Sequence, residues 1–206
     1  MKVGNVKTAA VNTFLTLALL AMGGCATTDQ RVNLLYAPSY YSSGCSGDLY
    51  IVEMPGSKVG DASGQWILGK ITDTDGKQTG NIISSVRPTD LIADAFRVEL
   101  KAAGYNAMAS MKSPDIANRV VVLESVNLEM REIANYVKAE ADSTLKVTLK
   151  LFKNGKPIKK IYFEASNKKT VVTNKAGIVD EILSATLKDI MKQAVPEIVN
   201  NFEKPV

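Results

Sequence analysis

Apolar residues recur at helical spacing in two segments of the chain. Between Pro88 and Ala103 they make one face, formed by Leu91, Ile92, Ala95, Phe96 and Leu100. Pro88 suits the first turn of a helix, and Gly104 follows as a left-handed cap. A second, broader apolar face runs from about Lys175 to Asn200, where Pro196 is expected to end or kink the helix. The pattern therefore predicts two main helices.

Alternating and continuous apolar runs predict strands around the first helix. Four short runs qualify, at Val32–Ala37, Asp48–Met54, Trp66–Thr72 and Tyr105–Ala109. A longer strand is predicted from Arg119 to Arg131. It opens with four consecutive apolar residues, which is typical of a strand inside a sheet.

The strongest local pattern is a hairpin. Apolar residues alternate with Thr and Lys along its first strand, at positions Leu145, Val147, Leu149 and Leu151. Asn154-Gly155 is the preferred two-residue turn, and the return strand alternates in the same way from Lys160 to Ala165. One face of this hairpin should therefore be packed and the other wet.

Grouped strands with two helices, without strict alternation of the two, predict an α+β fold. We expect a two-layer sandwich, with a mostly antiparallel sheet and both helices packed on one of its faces.

The amino-terminal residues follow the secretory pattern. Lys2 and Lys7 precede an apolar stretch, Phe14 to Met22, that is too short and interrupted for a spanning helix of roughly 20 residues. Met22-Gly-Gly-Cys25 resembles the lipobox of bacterial lipoproteins, although Met replaces the usual first Leu. An ordinary cleaved signal peptide and an amino-terminal anchor are the alternatives. We predict a signal peptide over residues 1–24, a lipidated tether over 25–31 and a single α+β periplasmic domain over 32–206.

Cys25 would then carry a diacylglycerol thioether and an N-acyl chain such as palmitate, and no other cofactor is expected. Each buried methylene stabilises membrane binding by about 0.8 kcal/mol, so two or three chains hold a protein durably. Ala26 follows the cysteine where an Asp would favour retention at the inner membrane. This favours the outer membrane, facing the periplasm.

The amino-acid composition limits the kinds of catalysis and binding that the chain can perform. The chain has no His, which excludes Ser-His-Asp and Cys-His catalysis and every zinc site that needs imidazole. Of the 25 basic residues, Lys2 and Lys7 would leave with the signal peptide, so 23 would face 21 acidic residues. That balance does not indicate a nucleic-acid partner. Cys45 would be a lone thiol without an internal disulfide partner.

Lysines crowd the hairpin and its exit. We treat six of them as a candidate interaction patch: Lys146, Lys150, Lys153, Lys156, Lys159 and Lys160. Anionic lipid headgroups, lipopolysaccharide phosphates or an acidic envelope protein would suit it. The alternative is a solvated strand face whose lysines discourage edge-to-edge pairing. The acidic residues Glu124, Glu129 and Glu132 are interpreted as charge on the sheet surface, since nothing pairs them across a cleft.

The chain resembles the YajG-like family of bacterial lipoproteins. The matching residues are Leu91–Tyr105, the strand Val120–Met130, Ser143–Leu149 and the segment Ala176–Ile190. The resemblance implies an outer-membrane or periplasm-facing lipoprotein without assigned catalytic residues. The helix end Ala102-Ala-Gly-Tyr105 is also similar to auxiliary lipoproteins of ABC transport systems.

These patterns indicate a non-enzymatic envelope lipoprotein that binds a protein or lipid partner in the periplasm. One alternative is an auxiliary subunit of a lipid or lipopolysaccharide transport or assembly system. Another, of a different class, is an envelope hydrolase that uses Ser-Lys or paired carboxylates.

Overall fold

The structure is a computed structural model that describes residues 28–39, 44–53, 64–110, 112, 117–135, 137–172 and 177–203. The predicted signal peptide and Cys25 lie outside these residues.

Eight strands and two helices occur in the described part of the chain. The strands are β1 (Gln30–Arg31), β2 (Asp48–Glu53), β3 (Trp66–Thr72), β4 (Gln78–Ser84), β5 (Asn106–Ser110), β6 (Arg119–Ala134), β7 (Ala139–Lys153) and β8 (Lys156–Val171). The helices are α1 (Pro88–Ala102), between β4 and β5, and α2 (Ile178–Glu203), after β8.

All eight strands join one mixed sheet with β6 at its centre. One edge of β6 pairs antiparallel with β7 along its length, and β8 continues that meander. The other edge is shared by two parallel strands. β2 pairs with its start at Val120–Leu123, and β3 pairs with its end at Met130–Ile133.

The prediction of a mostly antiparallel sheet is wrong. β1–β4, β2–β5, β2–β6 and β3–β6 are parallel, against the antiparallel pairs β3–β4, β6–β7 and β7–β8. Parallel neighbours need long crossover connections. The connection between the parallel neighbours β2 and β5, for example, contains β3, β4 and α1. Local patterning reveals hairpins and leaves such distant pairings unseen. The two-layer arrangement stays a prediction.

Most predicted elements are confirmed within a few residues, but one predicted strand does not form and one observed strand was not predicted. The predicted strand Val32–Ala37 is wrong. Only Gln30–Arg31 pairs with β4 as a strand, and the Val32 amide adds one hydrogen bond to the Ile83 carbonyl oxygen. Beyond it, Asn33 and Tyr36 hydrogen bond to side chains of the two helices. β4 was not predicted, because Gly80 and several polar residues interrupt its apolar pattern.

The helices and one face of the sheet share a single buried cluster. In α1 it includes Phe96 and Leu100, and in α2 it includes Leu183 and Leu187. The predicted packed face of β7 is confirmed, since Leu145, Val147, Leu149 and Leu151 are fully buried. The predicted hairpin turn is also confirmed, with positive φ at Asn154 (52°) and Gly155 (75°).

α2 continues past Pro196 to Glu203. Within the described residues, neither helix is long and apolar enough to cross a membrane.

Candidate functional site: a cleft beside the amino-terminal segment

A cleft of about 410 Å³ opens where β2 and β5 end and α1 begins. Its apolar lining comes from Leu34, Val86, Leu91, Ala93 and Ala109, and its polar lining from Tyr36, Glu53, Asp90 and Asp94. The space outside the carboxyl ends of parallel strands is a common place for ligands in sheets with helical crossovers. The topology therefore gathers an apolar pocket with a carboxylate-rich rim.

One wall of the cleft is the amino-terminal segment, residues 28–39. It is fastened first to β4, where the Thr28 amide donates to the Thr79 carbonyl oxygen at 3.2 Å. The Asn81 amide donates to the Asp29 carboxylate at 2.8 Å. Further along, the Asn33 amide donates to Asp180 of α2 at 3.2 Å. The wall is thus bonded to the sheet before it reaches the cleft.

Glu99, a fully buried carboxyl on α1, holds the far end of this segment. Its Oε1 accepts the Tyr36 hydroxyl at 2.5 Å, the Ser39 amide at 2.7 Å and the Ser39 hydroxyl at 2.8 Å. Burial, then the hydrogen bond to Glu99, raises the pKa of Tyr36, so the phenol stays protonated and keeps donating. Tyr36 is therefore a fixed wall of the cleft.

The sequence reasoning missed Glu99, although a signal was present. Glu99 follows Ala95 by four residues and Phe96 by three, so it lies on the apolar face of the helix. A carboxyl on such a face needs hydrogen-bond donors. The donors come from a segment sixty residues away, which periodicity cannot identify.

Two of the three carboxyls at the rim of the cleft, Glu53 and Asp90, share one guanidinium. Arg87 binds Asp90 through Nε at 2.7 Å and again through Nη2, which also lies 3.3 Å from Glu53 Oε2. Burial, reinforced by the hydrogen bond to Asp90, raises the pKa of Glu53. The raised pKa means that the pocket favours the neutral form of Glu53 more than open solvent would.

This pair differs from the carboxylates of a typical glycoside hydrolase. Those two groups flank a substrate at about 5–9.5 Å from each other, whereas Glu53 and Asp90 are drawn to the same guanidinium of Arg87. Across the described residues, no three His, Cys, Asp or Glu side chains gather where they could hold a metal ion. The arrangement suits binding of an apolar group beside a polar rim.

The six predicted patch lysines share the β7–β8 hairpin but lie among acidic side chains. Lys146 pairs with Glu164 at 3.2 Å, and Lys159 pairs with Glu197 of α2. Lys150 and Lys160 flank Glu124 at 2.5 and 2.6 Å, and they lower the pKa of that carboxyl. Acids from β6 and α2, distant in sequence, therefore balance much of this charge.

The remaining two lysines differ from each other. Lys153 donates to the Phe202 carbonyl oxygen at 2.8 Å and so ties the hairpin to the end of α2. Lys156 is exposed and has no ion pair with a described residue. The interaction patch stays a prediction.

The structure also shows the surroundings of two further residues that the sequence analysis discussed, Cys45 and Glu132. Cys45 is a half-buried free thiol beside Tyr105. Glu132 is not surface charge as interpreted: it is 6% exposed, and its Oε2 atom has no hydrogen-bond partner among the described residues. Burial raises the pKa of Glu132.

Solved structures similar to this chain include two bacterial lipoproteins. A DUF330 protein from Xanthomonas campestris gives a TM-score of 0.45 at 10% identity, covering 84% of this chain and 95% of that one. A minor lipoprotein from Acinetobacter baumannii gives 0.37 at 10% identity, with 75% and 91% covered. The rare lipoprotein B from Shewanella oneidensis gives 0.29 at 14% identity, with 64% and 90% covered.

None of these three proteins is named as an enzyme. With TM-scores below 0.5, the likenesses assign this chain to no family. No family model and no curated protein matches the chain. The resemblance to the YajG-like family therefore stays a prediction.

Proposed function

We propose that this chain is a lipoprotein of the cell envelope that binds a protein or lipid partner in the periplasm without catalysing a reaction. Acyl chains on Cys25 would hold it, at the outer membrane because Ala26 follows the cysteine. The lipobox and the YajG-like resemblance support the anchor. The observation that carries the proposal is that the segment just after Cys25 forms one wall of the cleft.

The lining of the cleft defines the kind of group that it would hold. Five apolar side chains form the larger part of the wall, and Tyr36 is fixed by Glu99. Pockets with an apolar lining and a few convergent polar groups are the usual form of a ligand site. The partner should therefore insert an apolar chain or side chain, with the carboxyl rim orienting its polar end.

The anchor is tested by metabolic labelling with a palmitate analogue. The wild-type chain should take up label and sediment with membranes, whereas Cys25→Ala should lose both properties. Cys45→Ala is the matched control, because it removes the other cysteine of the chain and should keep the label. Equal labelling of Cys25→Ala and wild type would contradict the anchor.

The cleft is tested by photocrosslinking in cells. Benzoylphenylalanine at Val86, which is 45% exposed and lines the cleft, should capture a defined protein or lipid. Leu91→Glu in the same chain places a charge in the lining and should abolish the capture. The control probe replaces Lys156 at the hairpin turn. Capture from Lys156 without capture from Val86 would favour the lysine patch instead.

One observation favours a second function, an envelope hydrolase with paired carboxylates. Glu53 and Asp90 lie together at the cleft, and the pKa of Glu53 is raised, as in many catalytic acids. If they were catalytic, Glu53→Gln would abolish turnover of isolated envelope material while leaving the urea midpoint nearly unchanged. We expect no turnover by the wild-type chain, and its detection would replace the binding proposal.

A further inference from the structure

The hydrogen-bond register of the sheet shows where the amino-terminal segment starts. One row runs across the sheet through Gly80 of β4, Ile71 of β3, Glu132 of β6, Ala141 of β7 and Lys169 of β8. Thr28 lies at the β4 side of this row. Its carbonyl oxygen would be only 2.4 Å from a Cβ added to Gly80.

Three connections lie just beyond this row on one side. They are the β3–β4 turn (Asp73–Lys77), the β6–β7 turn and the end of β8. We refer to this surface as the anchor-side end. Adjacent strands lie about 4.8 Å apart, so β8 is only about 19 Å across the sheet from β4. Thr28 and all three connections therefore belong to the same end of the molecule.

The anchor-side end presents two large apolar side chains to solvent. Val137 of the β6–β7 turn is 69% exposed, and Val172, directly after β8, is 65% exposed. Exposed polar residues such as Lys138 and Lys77 accompany them. Single exposed valines need no explanation, but here two of them mark the end from which the chain leads back to Cys25.

Cys25 precedes Thr28 by three residues, so covalent geometry keeps their Cα atoms within about 11 Å. We propose that the anchor-side end rests on the bilayer surface, with Val137 and Val172 as contact side chains. This inference rests on the proposed acylation of Cys25, which fixes one end of that short span in the lipid. The occupant of the surface is the membrane that holds the anchor.

The contact should not depend on lipid charge. Ion pairs balance the charged residues behind the two valines, namely Arg131–Asp142, Lys168–Glu140 and Lys169–Glu181. Lys138 lies close enough to Glu140 to lower the pKa of that carboxyl, after the larger effect of its hydrogen bond to Lys168. With these charges paired among the described residues, attraction to anionic headgroups should contribute little.

The same register places the lysine-rich turn far from this membrane. Fifteen residues separate Lys156 from Val171 along β8, which at about 3.3 Å per residue is about 50 Å. Glu53 of the cleft is in register with Leu123 of β6 and, through β7, with Ile161 of β8. Ile161 lies ten residues before Val171, so the cleft is about 33 Å from the anchor-side end. The cleft and the hairpin turn would then face the periplasm.

The test uses the full acylated chain in vesicles, with Cys45→Ser to leave one reactive thiol. A fluorophore is attached at Val137→Cys, at Val172→Cys or, as the control, at Ile158→Cys in β8. Vesicles of neutral phosphatidylcholine carry nitroxide-labelled lipid as quencher. We expect strong loss of fluorescence at positions 137 and 172 and little at 158, which lies about 43 Å from the end of β8.

Vesicle flotation and palmitate labelling measure the anchor separately. Flotation with no quenching at 137 and 172 would overturn the inference and leave the proposed function intact. Failure of both labelling and flotation would overturn both. Quenching that appears only after anionic phosphatidylglycerol is added would contradict the apolar contact, because it would indicate attraction by charge.

Discussion

At the scale of the residue, Glu99 connects the cleft wall to α1. Glu99→Ala should lower the free energy of unfolding by about 2 kcal/mol, because it removes the acceptor of three partly buried hydrogen bonds from Tyr36 and Ser39. Glu99→Gln keeps an acceptor oxygen and should cost clearly less. Urea unfolding measures both variants. Equal losses for Ala and Gln would show that the hydrogen bonds do not hold the wall.

Glu132 gives a pH-dependent prediction at the same scale. Burial raises the pKa of its carboxyl in the fold, so the folded state binds the proton more tightly than the unfolded state. Stability therefore falls as pH rises from the unfolded pKa, about 4.3, through the folded pKa. Glu132→Gln should stabilise the protein by about 1 kcal/mol at pH 7.

This gain should disappear below the unfolded pKa, where the glutamic acid is protonated in both states. Urea midpoints measured from acid to neutral pH follow the change. Glu129→Gln is the control, because that residue lies exposed on the same strand. A constant difference between Glu132→Gln and wild type at all pH values would contradict the argument.

At the scale of the element, Gly69 permits the parallel contact of β3 with β6. A Cβ at this position would lie 1.9 Å from the Met130 carbonyl oxygen, so Gly69→Ala must displace backbone. We expect a loss of about 2 kcal/mol, typical of overpacking. Gly44→Ala, which meets no atom within 4 Å, should be nearly neutral. Thermal unfolding compares the two, and equal midpoints would contradict the close approach.

Local patterning accounts for the elements whose neighbours are close in sequence. The hairpin at Asn154-Gly155, the strand β6 and the face of α1 all follow from alternation, turn chemistry or helical period. The parallel pairs do not, because β2 and β3 pair with β6 across long stretches of chain. A strand such as β4 is recognised only once its partners are known.

The candidate site was less predictable for the same reason. Glu53, Asp90 and Tyr36 come from a strand end, a helix start and a segment without regular structure. Their meeting depends on the crossover through α1, which the sequence pattern does not specify. The lysines were visible in the sequence, but their acidic partners Glu124 and Glu197 lie on other elements.

At the scale of the whole molecule, the amino-terminal segment joins parts that are otherwise far apart. It bonds to β4 at Thr28, to α2 at Asn33 and to α1 at Tyr36. Val32 is buried in the common core, and Leu34 and Tyr36 pack against it. The segment therefore acts as a structural strap as well as the route to the anchor.

Removing this strap should destabilise the whole domain. Relative to residues 26–206, a chain of residues 44–206 should lose about 4 kcal/mol, since burying each large apolar side chain contributes about 1.5–3 kcal/mol. The cleft also loses a wall, so capture from position 86 should disappear. Leu35→Ala is the control, because this side chain is 95% exposed within the strap and should leave the urea midpoint unchanged. An unchanged midpoint in the shortened chain would mean that the strap is a tether alone, and the cleft would then need another wall.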